Sequence, residues 1–135
     1  MITLEQMPMV AISSMNDTHL EETLLINRLE VAARADKIEE VSQILNELQE
    51  HTIIHFKTEE EMMEKTRFPA YSVHKAEHDR HLHELSSLIK YFDTNRDTKA
   101  IIAYLDGNLV KWLLHHIETM DTITAQFLKE HLASA

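Results

Sequence analysis

A histidine and a carboxylate stand four residues apart near the middle of the chain, as His55 and Glu59. On an α-helix this spacing puts both side chains on one face, one turn apart. Steps of three and four continue this face in both directions, a pattern typical of the inward side of a bundle helix. The residues on this face are Val41, Leu45, Leu48, Thr52, His55, Glu59 and Met62. A buried imidazole and carboxylate require a partner, and a metal ion would be one.

Further imidazole and carboxylate groups recur with helical spacing elsewhere in the chain. These candidate ligands are His19, His74, His78, His116 and Asp121. His74 and His78 again stand four residues apart, whereas His116 and Asp121 stand five apart. A five-residue step is about 140° around an ideal α-helix. The last pair can therefore share a centre only if Asp121 approaches from another side, or if the helix is locally distorted.

The types of donor restrict the metal. Imidazole and carboxylate without thiolate suit iron, manganese, zinc or copper. The candidates are too many for one ion, so we expect two ions bridged by the carboxylates. The Glu-x-x-His element of ferritin-like di-iron proteins does not occur in the sequence. One inward histidine would usually be a hydrogen-bonded core residue, but histidines and carboxylates on four converging faces favour a metal site.

Four segments carry these faces, at about residues 14–35, 37–66, 69–92 and 98–132, after an arm at residues 1–13. Ser14 with Asp17, and Asp36 with Glu39, predict capping boxes at the first two helix starts. One glycine, two prolines and no strand-like alternation argue against a loop-rich or all-β protein. We predict an all-α, up-down-up-down antiparallel four-helix bundle with an N-terminal arm, forming a single domain over residues 1–135.

Composition excludes several classes of function. The chain has 135 residues, a net charge of −10 and no cysteine. The charge argues against nucleic acid and anionic lipid as partners. The absence of cysteine excludes disulfides, zinc thiolate sites and iron–sulfur clusters. Neither a signal peptide nor an apolar membrane span is recognisable, so we expect a cytoplasmic protein. The oligomeric state stays open, and a monomer is compatible with the sequence.

The candidate ligands lie in motifs that resemble the hemerythrin family, specifically its single-domain bacterial members, over nearly the whole chain. The motifs are His19 followed by Ile26-Asn27, His55-Phe56-x-x-Glu59-Glu60, Phe68-Pro69-x-x-x-x-His74-Lys75-x-x-His78, and Trp112-Leu113-x-His115-His116-Ile117-x-x-x-Asp121. The five-residue step from His116 to Asp121 is the spacing of that family. The resemblance is specific because the seven candidate ligands recur in order and in spacing.

The resemblance implies a non-haem centre of two iron ions, bridged by carboxylates and by an oxygen, that binds dioxygen or another small ligand reversibly. It implies that one iron is held by His74, His78 and His116. It assigns His19 and His55 to the other iron, with Glu59 and Asp121 as bridges. The apolar pocket of the family corresponds to Phe56, Trp112, Leu113 and Ile117. An oxygen carrier, store or sensor follows, rather than an enzyme.

Three positions depart from the family pattern. Asn16 and Thr18 stand where the family usually has Asp and Gln, and His81 stands where a Phe is often found. These changes leave the candidate ligands intact and alter their surroundings. An alternative function on the same site is a di-iron oxidase or peroxidase, or an enzyme that handles nitric oxide, with His81 or Thr18 as a proton donor. We interpret Glu60 as part of a solvated face.

Overall fold

The computed structural model describes residue 2 and residues 6–132. Within this part, the first three helical rods are single α-helices, and the fourth alternates α-helix with π-helix. The α-helices are α1 Ser13–Arg34, α2 Ile38–Lys65, α3 Tyr71–Asn95, α4 Thr98–Tyr104, α5 Val110–His116 and α6 Thr122–Leu132. The first π turn is Leu105–Leu109 and the second is Ile117–Asp121. We call α4 to α6, with both π turns, the fourth rod.

The four rods pack into a bundle. Helix α1 lies against α2 and α4, and α2 lies against α3 and α6. Short connections make successive rods antiparallel, which confirms the predicted all-α four-helix bundle. The predicted helix ends agree with the observed ones to within three residues. Among the described residues, none of the helices combines the length and the hydropathy that a membrane span requires.

The first two helices begin without the predicted capping boxes. Helix α1 starts at Ser13 after Ile12, and α2 starts at Ile38 after Lys37, with no side chain capping either end. Both capping-box predictions are therefore wrong. Asp36 has a positive φ of 55° and accepts a hydrogen bond from the Thr98 hydroxyl at 2.7 Å. Its carboxylate therefore links the α1–α2 turn to the start of the fourth rod instead of capping α2.

Two asparagines hold the described parts of the N-terminal arm against α1. The Asn27 amide accepts from the Ile2 backbone N–H at 3.1 Å and donates to the Ile2 carbonyl at 2.9 Å. The Asn16 amide forms the same pair with Val10, at 2.9 and 3.0 Å. Ile2 is thereby buried in the core. Residues 1 and 3–5 of the predicted arm lie outside the described residues.

Two apolar clusters lie at opposite ends of the bundle. The larger one joins the end of α1, the start of α2, the end of α3 and the start of the fourth rod, and it includes Leu29, Leu45, Leu48, Leu85, Phe92 and Leu105. The smaller one joins the start of α1 to α6 and includes Met15, Ala125 and Leu128. Between the clusters, the inward face of α2 becomes polar at Thr52, His55 and Glu59, all of them buried. The candidate ligands therefore form a polar layer within an otherwise apolar bundle.

Gly107 lies in the first π turn of the fourth rod. A methyl group added to this glycine would meet no atom within 4 Å, so close helix packing does not explain the residue. Glycine is unfavourable within a helix by about 1 kcal/mol relative to alanine, and a local distortion of the helix is where such a residue is best tolerated.

Candidate metal centre

Seven predicted ligands meet in the polar layer, and each is at most 6 % exposed. Helix α1 contributes one histidine, α2 a histidine and a glutamate, α3 two histidines, and the fourth rod a histidine and an aspartate. In chain order these side chains are His19, His55, Glu59, His74, His78, His116 and Asp121. All of the sequence-predicted site residues for a metal are therefore brought together, and none of them lies apart.

The donor atoms form two adjoining groups. One group contains His74, His78, His116 and Asp121, and the other contains His19, His55, Glu59 and Asp121. In each group, the donor atoms lie within 4.8 Å of one another. The two groups share Asp121, so the site has the shape of two neighbouring cation positions rather than one.

Asp121 divides its two carboxylate oxygens between the groups. Its Oδ1 lies 3.1 Å from His74 Nε2 and 3.2 Å from His116 Nε2. Its Oδ2 lies 3.0 Å from His19 Nε2. One oxygen therefore faces each group, which is the arrangement that a bridging carboxylate requires.

Glu59 divides its oxygens in the same way. Its Oε1 lies 3.4 Å from His74 Nε2 and 3.5 Å from His78 Nε2. Its Oε2 forms a short contact with His55 Nε2 in the other group. Glu59 and Asp121 thus approach the same pair of positions, one from α2 and the other from the fourth rod.

The separations between the donor atoms are those expected around a shared metal ion. Two atoms about 2.1 Å from one ion and at right angles to each other lie about 3.0 Å apart. His74 Nε2 and His116 Nε2 are separated by 3.2 Å, a distance that two ligands of one ion would also have. Several buried donor atoms lack a hydrogen-bond partner: His19 Nε2, His78 Nε2, Glu59 Oε1, Asp121 Oδ1 and Asp121 Oδ2. Although some lie close to other donors, the geometry leaves them unsatisfied, and a cation would satisfy them.

The second π turn lies between His116 and Asp121 and accommodates their five-residue spacing. The Thr122 backbone N–H bonds to the Ile117 carbonyl, five residues earlier. The Thr122 hydroxyl also donates to that carbonyl, at 2.8 Å. The wider turn brings His116 and Asp121 onto one face, which an α-helix would not do. Of the two alternatives that the sequence left open, the local distortion of the helix is the one observed.

Three residues orient the histidine rings from behind. His55 Nδ1 donates to Glu22 Oε2 at 2.8 Å, and His78 Nδ1 donates to Glu60 Oε2 at 3.0 Å. His74 Nδ1 lies 2.8 Å from the Thr124 hydroxyl. Such partners fix the tautomer of a ligating histidine and turn its other nitrogen toward the metal.

Of these three orienting residues, Glu22 and Thr124 are not predicted from the sequence, and the sequence-based interpretation of Glu60 is wrong. Glu22 and Thr124 are both buried, and each stands three residues after a predicted ligand on the same helix face. That spacing is the signal by which they could have been found. Glu60 is wrongly interpreted as part of a solvated face, because its carboxylate is only 18 % exposed and accepts from His78.

The electrostatics of the polar layer favour a positive charge. Burial alone would raise the pKa of Asp121, but the surrounding imidazoles, His116 first, hold it well below the usual value. Burial likewise opposes the charged form of His55, yet its hydrogen bonds to Glu22 and Glu59 raise its pKa well above the usual value. The carboxylates that favour a charged imidazole here would equally favour a metal cation.

Apolar and aromatic side chains cover one side of the site. Phe56 stacks on the His78 ring at 3.8 Å, and Trp112 stacks on the His116 ring at 4.6 Å. Leu113 and Ile117 are buried on the fourth rod, three residues before and one residue after His116. The Trp112 indole N–H donates to Glu77 at 2.7 Å, which fixes the indole plane. These four are the residues that the sequence predicts as the lining of a ligand pocket.

The three positions that depart from the family pattern lie around the site without joining the donor groups. Asn16 binds the arm through Val10, and the Thr18 hydroxyl donates to the Ser14 carbonyl at 3.0 Å. His81 is buried and stacks on Trp112 at 3.9 Å. Burial lowers the pKa of His81 to about 4, so its ring is neutral at pH 7.

The fold and the site define a class: a four-helix bundle with a buried centre of histidines and carboxylates suited to metal cations. The comparisons with known proteins agree. The family model described as the hemerythrin HHE cation binding domain matches residues 10–128. The chain therefore belongs to the hemerythrin family.

Relatives and solved structures support this assignment along most of the chain. The bacteriohemerythrin of Aquifex aeolicus is 32 % identical over 114 residues, covering 84 % of this chain and 87 % of that protein. The bacteriohemerythrin of Stenotrophomonas maltophilia is 28 % identical over 123 residues, covering 91 % of this chain and 78 % of that protein. A crystal structure of wild-type hemerythrin superimposes with a TM-score of 0.78 and 26 % identity, covering 95 % of this chain and 96 % of that one.

Removal of metal should destabilise the fold, because it leaves buried donor atoms such as Asp121 Oδ1 and Oδ2 unsatisfied. With free metal at about a thousand times Kd, binding to the folded state alone contributes about 4 kcal/mol. For a chain of this size, we expect the apo protein to melt more than about 10 °C below the metal-loaded protein. Calorimetry of the two forms checks this, and equal melting temperatures would contradict the site.

Thr124→Val should weaken metal binding by about 10- to 100-fold, because it removes the hydroxyl behind His74 while preserving shape. Competition with a chromophoric chelator measures the affinity. Thr119→Val is the matched control, since Thr119 is exposed and its hydroxyl donates only to the His115 carbonyl among the described contacts. Equal affinity in the two variants would show that the hydroxyl of Thr124 does not orient the ring.

Proposed function

We propose that this chain holds two non-haem iron ions and binds dioxygen reversibly, as a carrier, store or sensor. The observation that carries the proposal is the division of carboxylate oxygens, with Asp121 and Glu59 each facing both histidine groups. Membership of the hemerythrin family supports iron as the metal. When bound, the iron pair would supply a reversible binding site for dioxygen. We further propose that residues 1–135 form one domain.

The residues have separate roles in this proposal. His74, His78 and His116 would hold one iron, and His19 and His55 the other. Glu59 and Asp121 would bridge the two ions, with a solvent-derived oxygen as a third bridge. The group of His19 and His55 offers two imidazoles, whereas the other group offers three. The first group therefore leaves more room for a further ligand, and we expect a small ligand to bind on that side. Glu22, Glu60 and Thr124 would hold the histidine rings in place from behind.

The apolar lining would exclude water from the side of the site that it covers. Phe56, Leu113 and Ile117 are each at most 2 % exposed, and Trp112 covers the His116 ring. A dry lining excludes water and protons that would otherwise promote oxidation of the iron. This protection favours binding without turnover, so we propose a role as a binding protein rather than as an oxidase or peroxidase.

Oxygen cycling tests the proposed function. The iron-loaded protein, reduced under anaerobic conditions and exposed to air, should change its optical spectrum and regain the first spectrum when oxygen is removed. Repeated cycles at graded oxygen pressure should give a saturable binding curve. Rapid oxidation that oxygen removal does not reverse would instead support the di-iron oxidase, peroxidase or nitric-oxide enzyme considered as the alternative.

Metal content tests the bridging role of Glu59. We expect about two irons per chain in the native protein, because the donors form two groups. Glu59→Gln should lower this content, since an amide cannot offer a negatively charged oxygen to each group. His83→Ala is the matched control because His83 is exposed on α3. Iron content that is equal in both variants would contradict the assignment of Glu59.

A further inference from the structure

Two clefts of different chemistry reach the buried donors from opposite sides. The first, of about 190 Å³, opens between α1 and α2 and ends at His55 and Glu59. The second, of about 80 Å³, lies between α3 and the end of the fourth rod and ends at His74. Since the donors are at most 6 % exposed, any metal ion has to pass through such a cleft or wait for the helices to separate.

The α1–α2 cleft carries polar groups at its mouth, beside the apolar side chains of Met15, Ile54 and Met62 that also line it. Thr18 and Glu21 of α1 face His51 and Thr58 of α2 across it. Glu21 is 65 % exposed, and its carboxylate lies 3.0 Å from His51 Nε2. A carboxylate, an imidazole and hydroxyl oxygens are groups that replace water around a divalent cation.

Beyond the mouth, polar groups continue into the protein. His51 is 20 % exposed, and its Nδ1 is buried without a hydrogen-bond partner, 4.0 Å from Glu22 Oε2. Glu22 in turn contacts His55 at 2.8 Å. The floor of the cleft includes Glu59, whose Oε1 is also unsatisfied. A cation that enters here therefore meets Glu21 and His51 near the surface and His55 and Glu59 at the floor.

The α3–α6 cleft offers no such series. Its wall is apolar and includes Phe68, Val73, Met120 and Ile123. A hydrated divalent ion would lose water there without gaining other ligands, which is strongly unfavourable. The chain has a net charge of −10, so a cation is attracted to the protein as a whole. The carboxylate of Glu21 would then direct the cation to the α1–α2 cleft rather than to the α3–α6 cleft.

We propose that the α1–α2 cleft is the route by which divalent metal ions load the centre, with Glu21 and His51 as the receiving groups at its mouth. The proposal rests on the metal centre put forward above, and it is independent of whether that centre binds dioxygen. Glu21 and His51 are in this view transit residues and not ligands of the final site.

Loading kinetics with Co²⁺ provide the test. Co²⁺ accepts the same nitrogen and oxygen donors as Fe²⁺, and its visible absorption reports occupancy. Glu21→Gln should slow the uptake of Co²⁺ by the full-length apo protein by about three- to tenfold at low ionic strength, without changing the final metal content. In about 1 M salt, where screening acts over about 3 Å, the difference should nearly vanish. Glu61→Gln, an exposed position outside the cleft with the same charge change, is the control.

A steric pair of variants separates the two clefts. Thr58→Trp should obstruct the α1–α2 cleft and slow uptake several-fold at every salt concentration. Val73→Trp should obstruct the α3–α6 cleft and leave the rate unchanged, since Val73 is 62 % exposed there. Circular dichroism verifies that each variant retains its helices.

The outcomes discriminate between the proposals. Uptake by Glu21→Gln and Thr58→Trp at the wild-type rate overturns the route, as does slow uptake by Val73→Trp alone. Lower metal content at an unchanged rate also overturns it, because that result makes the residues ligands. If the wild-type protein takes up neither Co²⁺ nor Fe²⁺, the proposed function fails as well. If Glu21→Gln and Thr58→Trp take up Co²⁺ at the wild-type rate while oxygen cycling succeeds, the proposed entry route is wrong and the proposed function stands.

Discussion

Two buried carboxylates at the centre of the bundle are the constraint on which the rest of the structure depends. Glu59 and Asp121 are each 1 % exposed. Burial and repulsion by Asp121 oppose the charge of Glu59, but its contacts with His55 and His78 lower its pKa from the usual value. Neutralising both by protonation would remove their attraction for the imidazoles around them. Histidine is suited to such a layer because one ring nitrogen can face the centre while the other binds a residue behind it. The cluster therefore makes physical sense as the surroundings of a cation.

The apolar clusters and the polar layer contribute to different properties of the molecule. Leu45, Leu85 and Phe92 at one end, and Leu128 at the other, are buried without any polar demand, and their burial drives helix association. The polar layer between the clusters destabilises the fold, because its buried histidines and carboxylates have lost their contacts with water, unless a cation compensates for that loss. Binding of metal and stability of the fold are consequently coupled through the middle of the bundle, whereas its ends associate mainly by the hydrophobic effect.

Sequence reasoning succeeded where a pattern was local and periodic. The helices, the inward faces and the candidate ligands followed from steps of three and four, as at His55 and Glu59. It failed where the decisive contact joined distant segments: Asp36 resembles a cap but binds Thr98, and Glu60 resembles a solvated residue but binds His78. The second π turn was predicted in part. The five-residue spacing of His116 and Asp121 showed that a regular α-helix could not bring both side chains to one centre. It did not show whether the helix is distorted or Asp121 approaches from another side.

The residues behind the histidines connect the site to the fold, because each of their contacts crosses between helices. Glu22 of α1 holds His55 of α2, and Glu60 of α2 holds a histidine of α3. Thr124 of α6 holds His74 of α3. A small rotation of any one helix would therefore disturb both a helix–helix contact and the direction of a ring nitrogen. Since the same few hydrogen bonds set both, the geometry of the centre is as rigid as the packing of the bundle, which is the preorganisation that a metal site requires.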